Sequence, residues 1–418
     1  MRVDDSVTRR RVLQGLGAMV APALVRTVVR AAQQSADNAP YSPSVLPAGI
    51  RSRFVDNING LRVHVLEAGA GANRPGVVLL HGFPELAYSW RKVMLPIAAA
   101  GYHVFAPDVR GYGRTSGTDV RYDDDLAPFR TLNQVRDVLG LVSALGHRSV
   151  AAVIGHDQGS PLAGWCAVVR PDIFRSVVMM SAPFGGPPAL PFNTADTPRP
   201  AAPAADPIYD ELAALKPPRK HYQRYYQTRE ANDNMWHAPQ GVHAFLRAYY
   251  HMKSADWTQN RPAPLAARTA GEWAKLPRYY VMDLDKGMAE TVAPEMPSAA
   301  AIAACRWLPD EELKVYSSEY GRTGFQGGLE GYRVGSVARF ASELQLFAGR
   351  TIDQPSMFIG GKSDWGVYQN PGALERLQKT VCTKTAGTHL VDGAGHWVQQ
   401  EQPEAVSALL VDFLRKPV

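Results

Sequence analysis

The chain has 418 residues, of which 45% are hydrophobic, 20% charged and 9% aromatic, a composition typical of a globular protein with an ordinary core. Its formal net charge of +6 is concentrated at the N-terminus, because residues 1–31 carry six arginines against two aspartates. The remaining charge is too small to favour a nucleic-acid partner or stable association with an acidic membrane surface.

Cysteine and histidine spacing gives no indication of a disulfide framework or a metal. The three cysteines, Cys166, Cys305 and Cys382, are odd in number and widely separated, and none belongs to a C-x-x-C pattern. His389 and His396 are seven residues apart, which suits neither one face of a helix nor a known ligand pair. We therefore expect no metal site.

The N-terminal residues predict an export signal. Three successive arginines, 9–11, precede a mostly apolar run from Leu13 to Val25 that is too short to span a bilayer, and residues 29–31 offer a small-residue cleavage site. The paired arginines before Val-Leu resemble a twin-arginine signal, which carries folded proteins out of the bacterial cytoplasm. We predict a signal peptide in residues 1–31 and a periplasmic or extracellular protein.

An alternative remains open because the signal pattern has departures. Val12 and Gln14 stand where Phe and Lys are usual, and Arg26 interrupts the apolar run. The alternative is a basic extension that stays attached to a cytoplasmic protein. Residues 32–52, rich in Ala, Ser, Pro and Asn, are predicted to form a linker.

The next part of the chain alternates short apolar runs with segments of helical spacing. Four continuous apolar runs bounded by turn residues predict strands buried on both faces: Val77–Leu80, Val104–Ala106, Ser149–Ile154 and Val177–Met180. Between the second and third, apolar residues recur at spacings of three and four from Leu132 to Leu145, which predicts an amphipathic helix. This order predicts an α/β fold with a mostly parallel sheet flanked by helices.

This alternation stops after Phe184. A connection rich in Pro, Ala and Gly leads into a helix-rich segment with many tyrosines and tryptophans, and two further strands and a closing helix follow it. We predict a helical cap inserted into an α/β core: core residues 53–184, connecting loop and cap 185–345, and core residues 346–418.

One strand ends in a sharp turn of a recognisable kind. After Ser149–Ile154 the chain reads Gly-His-Asp-Gln-Gly and then continues with Leu162, Trp165, Cys166 and Val169 on one helical face. Strand, Gly-x-nucleophile-x-Gly turn and helix form a nucleophile elbow, which exposes the central side chain at the top of the sheet. The central residue is Asp157.

An aspartate at this position points to a particular chemistry. Its carboxyl group, with an unperturbed pKa of ~3.9, is ionised at neutral pH without help from a base. Attack by a carboxylate on a carbonyl would only exchange acyl groups, so Asp157 favours attack on an sp³ carbon. Such attack leaves an alkyl ester, which water must then cleave at the Asp157 carbonyl.

The second step needs a base, a group that orients it and an oxyanion site. "GAGHWVQQEQPE" places His396 after a strand as the base, and "IGGKSDWG" places Asp364 after the preceding strand as its partner. "LLHGFPE" supplies the loop after Val77–Leu80, so the backbone N–H groups of Phe83 and Gln158 are the predicted oxyanion donors. The Phe83-Pro84 bond is predicted to be cis.

These motifs resemble the epoxide hydrolases of the α/β-hydrolase superfamily. The likeness lies in "HGFPELAYSWRKV", "APDVRGYGRTS", "GHDQGS" and "GAGHWVQQEQPEAV", and extends over roughly residues 53–415. It implies an α/β-hydrolase fold with an inserted helical cap, an epoxide substrate, and no metal or organic cofactor.

The resemblance also implies two cap tyrosines that hydrogen-bond the epoxide oxygen as the ring opens. "HYQRYYQTRE" resembles the segment of the first and places it at Tyr225, with Tyr222 and Tyr226 as alternatives. "EYGRTGFQGGLEGYR" resembles the segment of the second and places it at Tyr332. The aromatic cap suggests an apolar substrate. The sequence predicts neither the particular epoxide nor the oligomeric state.

Two departures from the family pattern affect the pocket wall. Gln158 stands where Trp commonly follows the nucleophile, and Glu330-Gly331 stands where Asn-Trp commonly precedes Tyr332. Glu330 brings a possible charge close to the site.

Other functions stay in competition. Haloalkane dehalogenases share the aspartate nucleophile but typically use a Trp directly after it to bind the departing halide, and this chain has Gln158 there. The two cap tyrosines, in turn, favour an epoxide. A carboxylesterase is disfavoured because the elbow lacks serine. A non-catalytic ligand-binding protein with this fold is the remaining alternative.

Overall fold

The computed structural model describes residues 39–190 and 206–416. The predicted signal peptide, and residues 32–38 of the predicted linker, lie outside the described residues. Within these ranges, no helix is both long and apolar enough to cross a bilayer.

A single eight-stranded sheet forms the core. Its strands, in chain order, are β1 (Ile50–Ile58), β2 (Leu61–Ala68), β3 (Gly76–Leu80), β4 (His103–Pro107), β5 (Val150–His156), β6 (Val177–Met180), and later β9 (Ser356–Gly361) and β10 (Thr385–Val391). The order across the sheet is β1-β2-β4-β3-β5-β6-β9-β10, with β1 and β2 antiparallel to their neighbours and the rest parallel. The four strands expected from apolar runs are β3 to β6.

Helices cover the core sheet. They are α1 (Arg91–Ala99), α2 (Thr131–Ala144) and α3 (Gly159–Val169) in the first half of the chain, and α14 (Ala373–Arg376), α15 (Val398–Glu401) and α16 (Pro403–Arg415) in the second. β3 is buried along its whole length and β5 along nearly all of it, because layers cover both faces of a central parallel strand. The helix expected from the spacing of Leu132 to Leu145 is α2.

The segment between β6 and β9 is mostly helical. Its helices are α4 (Ile208–Ala213), α5 (Tyr222–Tyr225), α6 (Glu230–Trp236), α7 (Gly241–Lys253), α8 (Ala270–Trp273), α9 (Met288–Val292), α10 (Ala299–Ala304), α11 (Asp310–Thr323), α12 (Gln326–Val334) and α13 (Ala338–Leu344). It also contains a small antiparallel sheet, β7 (Arg219–His221) with β8 (Val281–Asp283), which the sequence did not predict. Because β7 and β8 are some sixty residues apart, local spacing carries no signal for their pairing.

Short turns of 3-10 or π-helix complete the described secondary structure. They are Pro43–Val45, Ala87–Trp90, Ala127–Phe129, Ala293–Glu295, Gln345–Phe347, Trp365–Val367 and Leu377–Val381.

The cap and the core are fastened by polar contacts. Tyr250 of α7 and Tyr320 of α11 donate hydrogen bonds to the carbonyls of Pro84 (2.9 Å) and Glu85 (3.0 Å), next to the cis Phe83-Pro84 bond. Both contacts lie in the loop after β3. The cap therefore rests on the carboxyl ends of the parallel strands, where α/β sheets place their sites.

Candidate active site

Asp157 lies in a tight turn whose backbone conformation fixes the position of its side chain. It follows β5 and has a φ of 51°, a left-handed backbone conformation that residues other than glycine rarely adopt. The helix α3 begins two residues later at Gly159, where an added Cβ would meet the carbonyl of Leu80. The turn therefore needs glycine at 159, and it holds the Asp157 carboxylate, 8% exposed, above the sheet.

The two oxygens of this carboxylate have different neighbours. The Phe83 backbone N–H donates a hydrogen bond of 2.9 Å to Oδ1. Oδ2 lies 3.2 Å from Nε2 of His396, a nitrogen that makes no hydrogen bond within the described residues. One oxygen is thus held by the predicted oxyanion donor, and the other is next to the predicted base.

The second predicted oxyanion donor, the backbone N–H of Gln158, does not bind the carboxylate in the described structure. Gln158 directly follows Asp157, and no hydrogen bond joins its backbone N–H to the carboxylate in the described structure. Its side chain is held instead, because the Tyr112 hydroxyl donates to Gln158 Oε1 at 2.9 Å.

His396 and Asp364 are brought together as the sequence predicted. Nδ1 of His396 lies 3.1 Å and 3.2 Å from the two carboxylate oxygens of Asp364, and both side chains are 1% exposed. Asp364 also accepts a hydrogen bond of 2.7 Å from the Gly366 backbone N–H. Since Nδ1 donates to a carboxylate, Nε2 is left to accept a proton.

The surrounding charges keep both carboxyl groups ionised. Burial raises the pKa of Asp157, but His396, Lys253 and His156 outweigh it and hold the pKa below its usual range. Burial also raises the pKa of Asp364, and His396 together with the Gly366 N–H brings it below the usual value. A nucleophile in its attacking form is therefore present at neutral pH.

Residues outside the predicted set hold the base loop in place. The His396 carbonyl accepts a hydrogen bond of 2.7 Å from Nε2 of His156, whose Nδ1 lies 2.6 Å from Glu85. Glu401 accepts from the backbone N–H groups on either side of His396, those of Gly395 and Trp397, each at 2.9 Å. His156, Glu85 and Glu401 all lie inside the motifs used for recognition, but a motif does not indicate what each member contacts.

Tyr332 of α12 contacts Phe83, the residue whose backbone N–H binds the nucleophile. Its ring packs against Phe83 and Tyr222, with centroids 5.7 Å and 5.9 Å apart. Burial raises the pKa of both Tyr222 and Tyr332 well above the usual value, and the negative charge of Asp157 adds to this effect. Both phenols therefore stay protonated and close to the Asp157 charge.

The ring of Tyr225 packs against Tyr226, with centroids 6.1 Å apart, rather than against Tyr332, so the position predicted for the first donor needs correction. The ring of Tyr225 lies under the ammonium of Lys220, 4.5 Å away, and its pKa is raised by burial and by the charges of Glu230 and Glu290 rather than by Asp157. Tyr222, an alternative in the sequence prediction, takes the place facing Tyr332.

The third alternative, Tyr226, has a different partner. It lies four residues after Tyr222 on the same face of the chain and packs against both Tyr222 (5.4 Å) and Tyr332 (5.1 Å). Its hydroxyl donates to the Tyr249 hydroxyl at 3.3 Å. Tyr226 therefore packs against Tyr222 and Tyr332 while its own hydroxyl is bound to Tyr249.

The departures from the family pattern are neighbours in space. A Cβ at Gly331 would lie 2.9 Å from Oε1 of Gln158, so the small residue on α12 accommodates the side chain that follows the nucleophile. Both residues line a cavity of about 20 Å³, room for roughly one water.

Glu330 does not face the site as a free charge. It accepts hydrogen bonds from Gln326 (2.7 Å) and Arg333 (2.8 Å), while burial raises its pKa to about 7. Among the described residues, no group of three or more His, Cys, Asp and Glu side chains could hold a metal ion.

Known proteins resemble this chain over most of its length. A family model described as alpha/beta hydrolase fold matches residues 75–286. Epoxide hydrolase B of Mycobacterium tuberculosis is 33% identical over 368 residues, covering 86% of this chain and 96% of that protein. An epoxide hydrolase of Caballeronia sordidicola is 30% identical over 85% of this chain and 92% of that protein.

Solved structures agree with these relatives. An epoxide hydrolase from an endophytic Streptomyces superimposes with a TM-score of 0.69 at 31% identity, covering 88% of this chain and 96% of that one. Epoxide hydrolase A from Mycobacterium thermoresistibile gives a TM-score of 0.66 at 30% identity, over 88% and 98%. The chain belongs to the epoxide hydrolase family of the α/β-hydrolase superfamily.

Proposed function

We propose that this protein is an epoxide hydrolase that converts an epoxide and water into a vicinal diol through a covalent ester of Asp157. The proposal rests on the different neighbours of the two Asp157 carboxylate oxygens. Its Oδ1 is held by the Phe83 N–H, while Oδ2 lies beside His396 and accepts no hydrogen bond from the backbone of the described residues.

In the first step, Oδ2 of Asp157 attacks one ring carbon. A C–O bond forms to the enzyme as the ring C–O bond breaks, and the electron pair goes to the ring oxygen. Tyr222 and Tyr332 hydrogen-bond that oxygen, and one of them gives it a proton, because an alkoxide is a far stronger base than a phenolate. Their raised pKa values support this role, since a donor must reach the reaction with its proton.

In the second step, Nε2 of His396 takes a proton from water, and the hydroxide adds to the Asp157 carbonyl carbon. The oxyanion forms on Oδ1, where the Phe83 N–H already donates and the Gln158 N–H is next in the chain. Asp364 stabilises the imidazolium through Nδ1. Collapse of the oxyanion breaks the bond between the carbonyl carbon and Oδ2, and Oδ2 leaves on the diol with the proton that His396 took from water. The oxygen of the added hydroxide stays in the Asp157 carboxyl group, whose remaining proton returns to the phenolate left by the first step, so that the carboxylate and both phenols are restored. No step needs a metal or organic cofactor.

The experiment that tests the proposal is intact-protein mass spectrometry of His396→Gln exposed to epoxides and haloalkanes. Without the base the ester should accumulate, so we expect an adduct with the mass of the whole epoxide, absent when Asp157 is also replaced by Ala. His396→Gln with Ser160→Ala is the matched control. Ser160 is the hydroxyl nearest the nucleophile in sequence, but it donates to the Ala182 carbonyl at 2.5 Å, so the adduct should persist.

Two results would contradict the proposal. An adduct lighter than a haloalkane by one hydrogen halide, with none from epoxides, would make the protein a dehalogenase. Labelling that survives Asp157→Ala would place the nucleophile elsewhere. The aromatic rings around Tyr332 favour apolar epoxides, so styrene oxide and long-chain epoxides belong in the first panel.

For residues 1–31 we propose export, on the strength of the paired arginines before an apolar run. Replacing Arg10 and Arg11 by Lys should leave the protein in the cytoplasmic fraction of a bacterial host. Unchanged distribution of the double variant would favour an extension that stays attached.

A further inference from the structure

The two phenols proposed to bind the epoxide oxygen have different polar neighbours. The Tyr222 hydroxyl donates a hydrogen bond of 3.3 Å to Oε1 of Gln369 and accepts one of 3.2 Å from Nε2 of Gln223. The Tyr332 hydroxyl makes no hydrogen bond with any residue that the structure describes. Its ring packs against the rings of Phe83 and Tyr222 instead. The two phenols therefore differ in how well their oxygens are prepared to carry a negative charge.

The neighbours of the Tyr222 hydroxyl come from both parts of the protein. Gln223 is the next residue of α5, in the cap, and Gln369 lies in the loop after β9 that also carries Asp364. Tyr222 is 4% exposed and Gln369 is 7% exposed. The hydroxyl is therefore buried between an amide of the cap and an amide of the core.

One of these two amides must present an N–H to the Tyr222 oxygen. A hydroxyl carries a single hydrogen, so it can donate to only one amide. The other amide, at hydrogen-bond distance from the same oxygen, must then turn its N–H group towards it, because two oxygens without a hydrogen between them repel each other. In the structure this donor is Gln223, at a distance within the range of N–H···O hydrogen bonds.

Ring opening needs such a donor on the phenol that gives up its proton. When Oδ2 of Asp157 becomes part of an ester, its negative charge passes to the ring oxygen, and the proton that neutralises this oxygen leaves a phenolate behind. A buried phenolate is costly unless it accepts hydrogen bonds. Because a hydrogen bond to an ion is roughly twice as strong as one between neutral groups, the Gln223 N–H stabilises a phenolate at 222 more than it stabilises the phenol.

Gln369 binds the proton beforehand and can release it. Its hydrogen bond from Tyr222, at 3.3 Å, is longer than the usual ~2.7–2.8 Å of an O–H···O bond, so little is lost when the hydrogen turns to the epoxide oxygen. The Nε2 group of Gln369 makes no hydrogen bond within the described residues. A half-turn of this amide exchanges Oε1 for Nε2 and gives the phenolate a second donor.

We propose that Gln223 and Gln369 are positioning residues that make Tyr222, rather than Tyr332, the phenol that gives its proton to the ring oxygen. Tyr332 hydrogen-bonds the same oxygen and keeps its own proton. In the second step the Asp157 carboxyl group returns a proton to Tyr222, whose hydroxyl binds Gln369 again. This inference rests on the proposed function, because it assigns one proton transfer of that reaction.

The test measures ester formation in the His396→Gln protein, where the ester accumulates, with the epoxide that gives the largest adduct. Quenched single turnovers at several epoxide concentrations give both the dissociation constant and the limiting rate. Gln223→Met removes the N–H donor and keeps an unbranched chain. We expect the limiting rate to fall about tenfold and the dissociation constant to stay within about twofold, because the donor acts only when charge reaches the phenol oxygen.

The same substitution in two further backgrounds shows which phenol it acts through. With Tyr332→Phe, Gln223→Met should again lower the limiting rate about tenfold, because Tyr222 still gives the proton. With Tyr222→Phe it should change the rate by less than about twofold, because no hydroxyl remains for Gln223 to bind. Tyr222→Phe alone should lower the rate further than Tyr332→Phe alone.

Gln227→Met is the matched control. Gln227 is another cap glutamine, four residues after Gln223, and its amide accepts a hydrogen bond of 3.4 Å from Arg224 rather than contacting a phenol. The limiting rate should be unchanged by this substitution in all three backgrounds.

Three results would overturn the proposal: equal effects of Gln223→Met in the Tyr222→Phe and Tyr332→Phe backgrounds, no fall in rate in His396→Gln alone, or a change in the dissociation constant as large as that in the rate. If Gln223→Met fails a thermal-unfolding check, Gln223→Leu is measured in its place against the same criteria. No adduct from any epoxide in the His396→Gln protein would instead contradict epoxide hydrolysis itself, and with it the proton transfer assigned to Tyr222.

Discussion

The core and cap sides of the active site are built in different ways. On the core side, Asp157 is held by a left-handed backbone turn and its Oδ1 by a backbone N–H. On the cap side, Tyr222 and Tyr332 are held by side chains, through ring contacts and, for Tyr222, hydrogen bonds to Gln223 (3.2 Å) and Gln369 (3.3 Å). Backbone constraints leave the attacking atom little freedom, whereas packed side chains can change without moving it.

The largest expected effect tests the core side. Asp157→Ala removes the attacking atom, and no nearby side chain can replace it, so we expect a fall in kcat/KM of about 10⁴-fold or more. The rate is measured on the epoxide that gives the largest adduct in the mass-spectrometric test. Ser160→Ala, by contrast, should stay within about threefold. Substantial activity in Asp157→Ala would show that the turn does not carry the nucleophile.

The next prediction tests how closely the cap packs on the core. Gly327 of α12 is packed on the core so closely that a Cβ would meet the Gly111 backbone. Because backbone cannot move aside as a side chain can, Gly327→Ala should lower the free energy of unfolding by ~3 kcal/mol and reduce turnover. Urea unfolding gives the value.

Gly331→Ala is the control for that measurement. Its Cβ would meet only the end of the flexible Gln158 side chain, at 2.9 Å, so the cost should stay below about 1 kcal/mol. Equal costs at 327 and 331 would contradict the close backbone contact between cap and core.

The tyrosines test the cap side. Tyr222→Phe and Tyr332→Phe should each reduce the rate of ester formation by about 10- to 100-fold, because the remaining phenol still supports the ring oxygen. Stopped-flow or quenched single-turnover measurements give this rate directly. Tyr225→Phe should change it by less than about twofold, since that ring lies under Lys220. A larger effect at 225 than at 222 would reverse the assignment made from the structure.

A smaller effect is expected at a charge pair remote from both sides. Glu67 on β2 is 3% exposed and contacts none of the catalytic residues. Its hydrogen bond with His103 lowers the pKa of Glu67 most, burial raises it, and Arg53 lowers it further, so that the pKa is about 2. Since the folded pKa lies below the unfolded value of 4.5, this contribution is complete above pH 4.5 and is lost as pH falls to about 2.

Glu67→Gln should therefore lower the free energy of unfolding by ~2 kcal/mol at pH 7, with the difference from the parent shrinking below pH 4.5. Denaturation at several pH values measures this, with kcat/KM expected to stay within about twofold. A difference independent of pH would mean that packing, rather than charge, holds Glu67.

The same contrast explains what the sequence could predict. Asp157, His396 and Asp364 follow buried strands, and both the strand and its turn are local patterns, so these three residues, which the structure brings together, could be predicted one by one. Three tyrosines within five positions gave no such signal. The choice of Tyr222 depends on where α5 begins, and that is set by the pairing of β7 with β8, about sixty residues away.

The burial of Lys253 beside the His396 loop could not be predicted for a related reason. A lysine at the end of a helix is typical of an exposed position that favours the helix dipole. Its burial follows only from the contact of α7 with Gly395, which joins parts of the chain about 140 residues apart. Long-range contacts, rather than weak local signals, therefore account for the parts of the site that the sequence did not predict.

The contacts between the cap and the catalytic loops also limit how this enzyme could be redesigned. The Lys253 carbonyl binds the His396 loop, and the Tyr250 and Tyr320 hydroxyls bind the loop that presents the Phe83 N–H. A cap exchanged from a relative to change substrate range would have to reproduce these three bonds. A graft that kept its own residues there would alter the base and the oxyanion donor along with the pocket, so a usable boundary for chimeras should leave the end of α7 with the parent chain.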